Sequence, residues 1–235
     1  MSTKAILKIR SDTTPHWVGD GFPVRSLFSY GQDPAAPRQR GVGEHPHKGF
    51  ETVTIVYQGE LEHRDSAGHS GAIGPGDVQW MTAASGLVHE EFHSRSFAER
   101  GGVLEMVQLW VNLPAADKKK PPRYQELLAA QIPTVALAEG AGTARIITGE
   151  FQGTRGPART FTRVGLWDLA LSAGKSTVLN FPEGDNTLLL VRKGAIVLNG
   201  ASEASGVALV RCSPEGDRLE ITAETDAQVL VLNGQ

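Results

Sequence analysis

Turn-forming residues interrupt this chain at short intervals, and that restricts its fold more than any other feature. Twenty-seven glycines and 13 prolines are spread along 235 residues rather than clustered. Such punctuation leaves little room for long helices and implies many short segments joined by turns. The segments between turns are rich in β-branched, aliphatic and aromatic residues. Residues 52–57, 103–111, 187–192, 195–198, 207–211 and 227–232 all read as strands. One short helix is expected over residues 122–130, where Tyr124, Leu127 and Leu128 fall at helical spacing. The expected class is all-β, in barrel or sandwich form.

The two halves resemble each other in outline. Residues 52–59 read TVTIVYQG and residues 187–194 read TLLLVRKG, an offset of 135 residues. Each is an apolar strand that begins at threonine, ends at glycine and leads into a further strand. Extended upstream without gaps, the offset sets Asn180 against His45, Pro182 against His47 and Asn186 against Glu51. Two units of similar design follow, the second without the histidines of the first. The expected division is 1–113 for the first unit, 114–134 for a connection with a short helix, and 135–235 for the second. Lys118-Lys119-Lys120 beside Pro121 and Pro122 reads as solvated linker.

All seven histidines lie in the first half, at positions 16, 45, 47, 63, 69, 89 and 93. Two pairs have the spacing that puts neighbours on one face of a strand: His45-Pro46-His47, and His89-Glu90-Glu91. Facing strands would set three imidazoles and one carboxylate around one point, a donor set suited to a divalent transition metal. Pro46 has no N–H, so its strand must be a start or an edge. Glu51 rivals Glu91 as the carboxylate, because it shares the parity of His47, Val53 and Ile55 and is expected to point inward. Glu90 has the opposite parity and should face away. His63 is expected near the site as a hydrogen-bonding residue, His69 in a turn, and His93 around the site or at the surface. Trp80 and Met81 are either pocket wall or core, and Cys212 reads as a small core residue.

Composition removes several classes. A net charge of −3 argues against a protein that coats nucleic acid. No apolar run approaches a membrane span. The start, Met1-Ser2-Thr3-Lys4-Ala5, shows no secretory pattern, and a single cysteine allows no disulfide within the chain. A cytoplasmic monomer is the expectation.

The text around the histidines resembles known families. His45-x-His47, followed by Glu51 and Gly59, looks like the first cupin motif, and Gly86-Leu87-Val88-His89 like the histidine part of the second. More narrowly, HPHKGFETVTIVYQGELEHRDSAGHSG, PGDVQWMTAASGLVHEE, VGDGFPVR and VQLWVNL resemble pirin. The resemblance implies a bicupin, two barrels packed together, with metal only in the N-terminal one. It implies His45, His47, His89 and Glu91 as ligands of one divalent metal, iron(II) first among them, with Glu51 nearby. The implied activity is a quercetin 2,3-dioxygenase, which opens a flavonol with dioxygen to give an ester and carbon monoxide. Glu91 or Glu51 would serve as the catalytic base. The other implied role is an iron-dependent, redox-sensing binding protein acting on a transcription factor or metabolic enzyme. A metal-dependent isomerase or lyase is a third possibility for a cupin.

Overall fold

The computed structural model describes residues 2–11, 16–18, 22–24 and 40–234. Half of the stretch 18–25, part of the pirin resemblance, lies outside them. The chain divides into two compact β units, residues 14–131 and residues 1–13 with 132–235.

The N-terminal unit has two four-stranded antiparallel sheets. One runs Gly41–His47, Leu87–His93, Leu61–Asp65, Ser70–Ile73, and the other Glu105–Asn112, Phe50–Gln58, Val78–Thr82, Arg123–Leu127. The sheets meet face to face. Val56 of the second sheet packs with Leu61 and Ile73 of the first, and Met81 packs with Leu87. These contacts fix which side of the Phe50–Gln58 strand points inward. Thr52, Thr54 and Val56 share the inner face, and Glu51, Val53 and Ile55 share the outer one. A six-residue helix, Arg95–Arg100, follows the Leu87–His93 strand; Ser94 caps it by accepting from the Phe97 N–H at 3.1 Å.

The segment expected to be helical is a strand. Arg123–Leu127 pairs with Val78–Thr82 and completes the second sheet; only Ala129–Gln131 forms a 3-10 turn. The spacing of Tyr124 and Leu127 fits a helix, but an open sheet edge supplies backbone partners that five residues of helix cannot match. Nor is Lys118 merely solvated. Its ammonium donates to the Gly49 carbonyl at 2.8 Å and to Asn112 Oδ1 at 2.6 Å, fastening the turn that joins Gly41–His47 to Phe50–Gln58.

The C-terminal unit repeats the plan with one larger sheet. Its four-stranded sheet is Ser176–Asn180, Arg218–Ala223, Ala195–Leu198, Ser202–Ser205. Its seven-stranded sheet is built on Asn186–Lys193 and includes Ile6–Arg10 at one edge. The first residues therefore belong to this unit, not to the one that follows them in sequence. Ile6–Arg10 pairs with Ala208–Cys212, and Lys4 is fully buried with its ammonium held by the carbonyls of Asp185, Ser213 and Pro214 at 3.0–3.1 Å. A buried ammonium is tolerated only when its protons are taken up in this way.

The repeat holds over residues 52–59 and 187–194. Gly59 and Gly194 both adopt φ of 82–83°, a conformation glycine takes freely and other residues rarely do. Thr187, Leu189 and Val191 are buried as Thr52, Thr54 and Val56 are. Upstream the offset fails. Two residues join the first pair of strands, 48–49, whereas five, 181–185, join the second. The inward positions are consequently Leu179 and Phe181, while Asn180 and Pro182 are exposed.

Candidate metal centre

His45 and His47 end the Gly41–His47 strand, and His89 and Glu91 lie in its neighbour Leu87–His93. The register pairs His45 with His89 and His47 with Leu87. Between Val42 and His45 the pairing slips by one residue, a bulge that accommodates Gly43 and Glu44. The bulge sets the Gly43 carbonyl under the imidazole, where it accepts from His45 Nδ1–H at 2.8 Å. That bond fixes the tautomer and leaves the Nε2 lone pair of His45 directed into the barrel.

Three imidazoles converge there. Ligand nitrogens of His45, His47 and His89 lie within 4.8 Å of one another, and His89 Nε2 is 2.9 Å from His45 Nε2. Two donors about 2.1 Å from a shared ion at right angles stand roughly 3.0 Å apart, so this separation suits a common metal. Burial of His47 pushes its pKa down to about 4, with His45 as the next cause. Burial likewise brings His89 down to about 3, helped by the neighbouring imidazoles. Both rings are thus neutral near neutral pH, the state a metal requires. His47 Nε2 is buried without a hydrogen-bond partner, an arrangement that costs free energy unless something else occupies the lone pair. Donor type, spacing and the orphaned nitrogen all fit a divalent metal.

Glu91 lines the same cavity but stands outside the cluster of three nitrogens. Gln108 Nε2 donates to both its oxygens, at 3.2 and 3.0 Å, and Thr54 Oγ1 approaches at 3.5 Å. Burial raises its pKa, while Gln108, His45 and Thr54 act against the rise. The Gln108 oxygen accepts from the Trp110 indole N–H at 3.3 Å. Its amide orientation is therefore set from one side, leaving the NH2 for the carboxylate. The sequence alone does not mark Gln108 or Trp110 as site residues, although both lie in VQLWVNL. Their signal was parity: 106, 108 and 110 share a face and pair with Val56, Thr54 and Thr52.

Glu51 is not in this site. It has the opposite parity to Phe50, which lines the cavity, and to Thr54, which bonds Glu91. The expectation that it points inward fails because Lys48 and Gly49 carry the chain from one sheet to the other, so parity does not run through the turn. Glu51 is buried on the outer face of its sheet, accepting from Thr82 Oγ1 at 2.6 Å; Arg123 Nε in turn donates to that hydroxyl at 3.2 Å. Burial raises its pKa against the pull of Thr82 and Arg123.

The other histidines fall around the centre. His63 is buried opposite Glu91 in the register and stacks on Tyr124, centroids 5.2 Å apart. His69 sits in the turn expected for it, its N–H and Nδ1 both at Asp65. His93 is buried against Phe97. Glu90 faces away and ion-pairs with Arg64. Trp80 and Met81 are core; Met81 accepts from the Tyr124 hydroxyl at 2.8 Å.

The cavity beside the imidazoles measures about 410 Å³. His45, His47, Glu91 and Gln108 form its polar part, and Val42, Pro46, Phe50 and Trp110 its apolar wall. Its size lies within the range of small-molecule sites.

A strand-parity histidine cluster inside a two-sheet barrel, followed by a second barrel of like design, is the architecture of the bicupins. The pirin family model matches residues 11–111. A Pseudomonas aeruginosa protein bearing a provisional quercetin 2,3-dioxygenase name is 51% identical, over 99% of this chain and 87% of its own length. The crystal structure of a quercetin 2,3-dioxygenase from Acinetobacter baumannii superposes with a TM-score of 0.93 at 45% identity, covering all of this chain and 88% of that one. The bacterial pirin YhhW from Escherichia coli, solved in complex with nickel(II), gives a TM-score of 0.63 at 25% identity, over 82% of this chain and 76% of its own. The chain belongs to the pirin family.

Proposed function

We propose that this protein is a metal-dependent dioxygenase that opens a flavonol such as quercetin, with iron(II) held by His45, His47, His89 and Glu91. One observation carries the reading: three imidazoles converge beside a cavity large enough for a small aromatic molecule. The relatives named for quercetin dioxygenation and the nickel complex of a bacterial pirin support it.

When bound, iron supplies Lewis acidity toward a flavonol hydroxyl and a redox partner for dioxygen. The chain supplies the rest. The Gly43 carbonyl holds His45 in the tautomer that presents Nε2. Glu91 is the group placed to take the flavonol 3-hydroxyl proton, and Gln108 and Thr54 hold its carboxylate at the cavity edge for that purpose. Val42, Pro46, Phe50 and Trp110 give the cavity an apolar wall for the flavonol rings. Overall, one flavonol and one dioxygen give one ester and one carbon monoxide.

The test is oxygen uptake and carbon monoxide release by anaerobically iron-loaded protein given quercetin. Uptake above that of free ferrous iron, reduced at least a hundredfold in Glu91→Gln, is the expected result. Uptake no faster than free iron overturns the dioxygenase reading; binding of a protein partner without turnover would put the regulatory role in its place.

A further inference from the structure

Trp110 combines two properties seldom found together. It is 61% exposed, yet its ring is held by contacts on several sides. It stacks on Phe50 with centroids 4.8 Å apart and planes 29° from parallel, and meets the edge of His47 at 5.6 Å. Its indole N–H is given to Gln108. A tryptophan that served only to fill space would be buried, and one that served only the surface would not be fixed so closely. Fixed and open, its ring loses little freedom when a ligand stacks against it.

The geometry points to Trp110, backed by Phe50, as the wall that selects flat, conjugated aromatic ligands for this cavity. The lining combines polar groups, His45, His47 and Glu91, with the aromatic pair, and the two parts meet where His47 touches Phe50 and Trp110 edge-on. A ligand satisfying both has oxygen donors along one edge and a planar ring system behind them. A ring puckered by saturation keeps the donors but cannot lie flat against the indole. Gln108 ties the two parts together, since one amide bonds both the indole N–H and the Glu91 carboxylate. The placing of the wall is thus coupled to the placing of the carboxylate. The inference rests on the flavonol reading above for its ligand, but not on turnover.

The experiment measures binding to the full chain loaded with redox-inert zinc. Two probes carry the same hydroxyl groups: quercetin, which is flat, and taxifolin, in which the C2–C3 bond is saturated and the ring puckered. Wild type is expected to bind quercetin about tenfold more tightly than taxifolin. Trp110→Ala should weaken quercetin about tenfold and taxifolin little, removing the preference. Trp110→Phe, which keeps a ring but no N–H, should keep most of it and guards against misfolding of the alanine variant. Overturning results are quercetin binding unchanged in Trp110→Ala, equal losses for both probes, or a wild type that does not distinguish them, including one that binds neither. Flat-ligand selection without oxygen uptake by the iron form would reject the dioxygenase and leave the wall in place.

Discussion

The two barrels share a sheet plan and differ in what fills them. In the C-terminal barrel Leu179, Phe181, Ile196, Leu198, Leu219 and Ile221 occupy the interior, all buried and apolar. In the N-terminal barrel the strands corresponding to those of Leu179 and Leu219 carry His45, His47, His89 and Glu91, beside an open cavity. Apolar filling stabilises by about 1.5–3 kcal/mol per side chain fully buried. Buried imidazoles and a carboxylate give little of that, and an orphaned nitrogen such as His47 Nε2 works against folding. One barrel is built for stability; the other gives some of it up to hold a site.

The sharpest way to break this contrast is to make the first barrel like the second. His47→Leu should lower metal affinity at least a hundredfold and abolish oxygen uptake, as measured by metal titration and oxygen electrode. The same variant, metal-free, should be more stable than metal-free wild type by about 1–2 kcal/mol in urea, since it removes a buried unpaired polar atom. A less stable variant would mean that His47 has a partner and that the contrast is overdrawn. The converse change is Leu219→Ala in the filled barrel. It should cost about 2–5 kcal/mol in denaturant melts while leaving metal bound per folded chain unchanged.

Acid sharpens the comparison. The folded-state pKa values of His47 and His89 lie near 4 and 3, below the ordinary 6.5. Below 6.5 the unfolded chain therefore binds protons that the folded chain refuses. The stability tied to these two rings is fully present above 6.5 and is lost as pH falls through 4 and then 3. Metal-free wild type should lose more stability between pH 7 and pH 4 than His47→Leu does, by thermal melts; equal losses would remove His47 from the account. The smallest effect expected is at the turn between the two sheets. Lys118→Ala should cost about 1 kcal/mol and loosen the Gly49 turn next to His47, seen as faster amide exchange there.

How much of this could be read from the sequence followed from where parity holds. Within a strand it holds, so His45 with His47, and His89 with Glu91, were placed on common faces, and Glu90 on the other. Across a turn it does not. Glu51 was carried inward through Lys48 and Gly49, where the chain changes sheets. The offset of 135 was sound within residues 52–59 and failed in the longer 181–185 connection, so Asn180 and Pro182 were set where Leu179 and Phe181 belong. Over residues 122–130 a short apolar pattern fits helix and strand equally, and the distant edge of Val78–Thr82 decides for strand at Arg123–Leu127. The docking of Ile6–Arg10 on Ala208–Cys212 depends on a partner some 200 residues away. The roles of Gln108 and Trp110 needed the register that pairs their strand with Thr52 and Thr54.

The contrast between the barrels comes down to one number, the metal bound per chain. Native mass spectrometry of the full chain, loaded anaerobically with iron(II), measures it directly for wild type and for the His45→Ala/His89→Ala double variant. The account predicts one ion per wild-type chain and none in the double variant, with the fold of both intact. A double variant that keeps its ion, or a wild type that holds a second ion within residues 135–235, would contradict it.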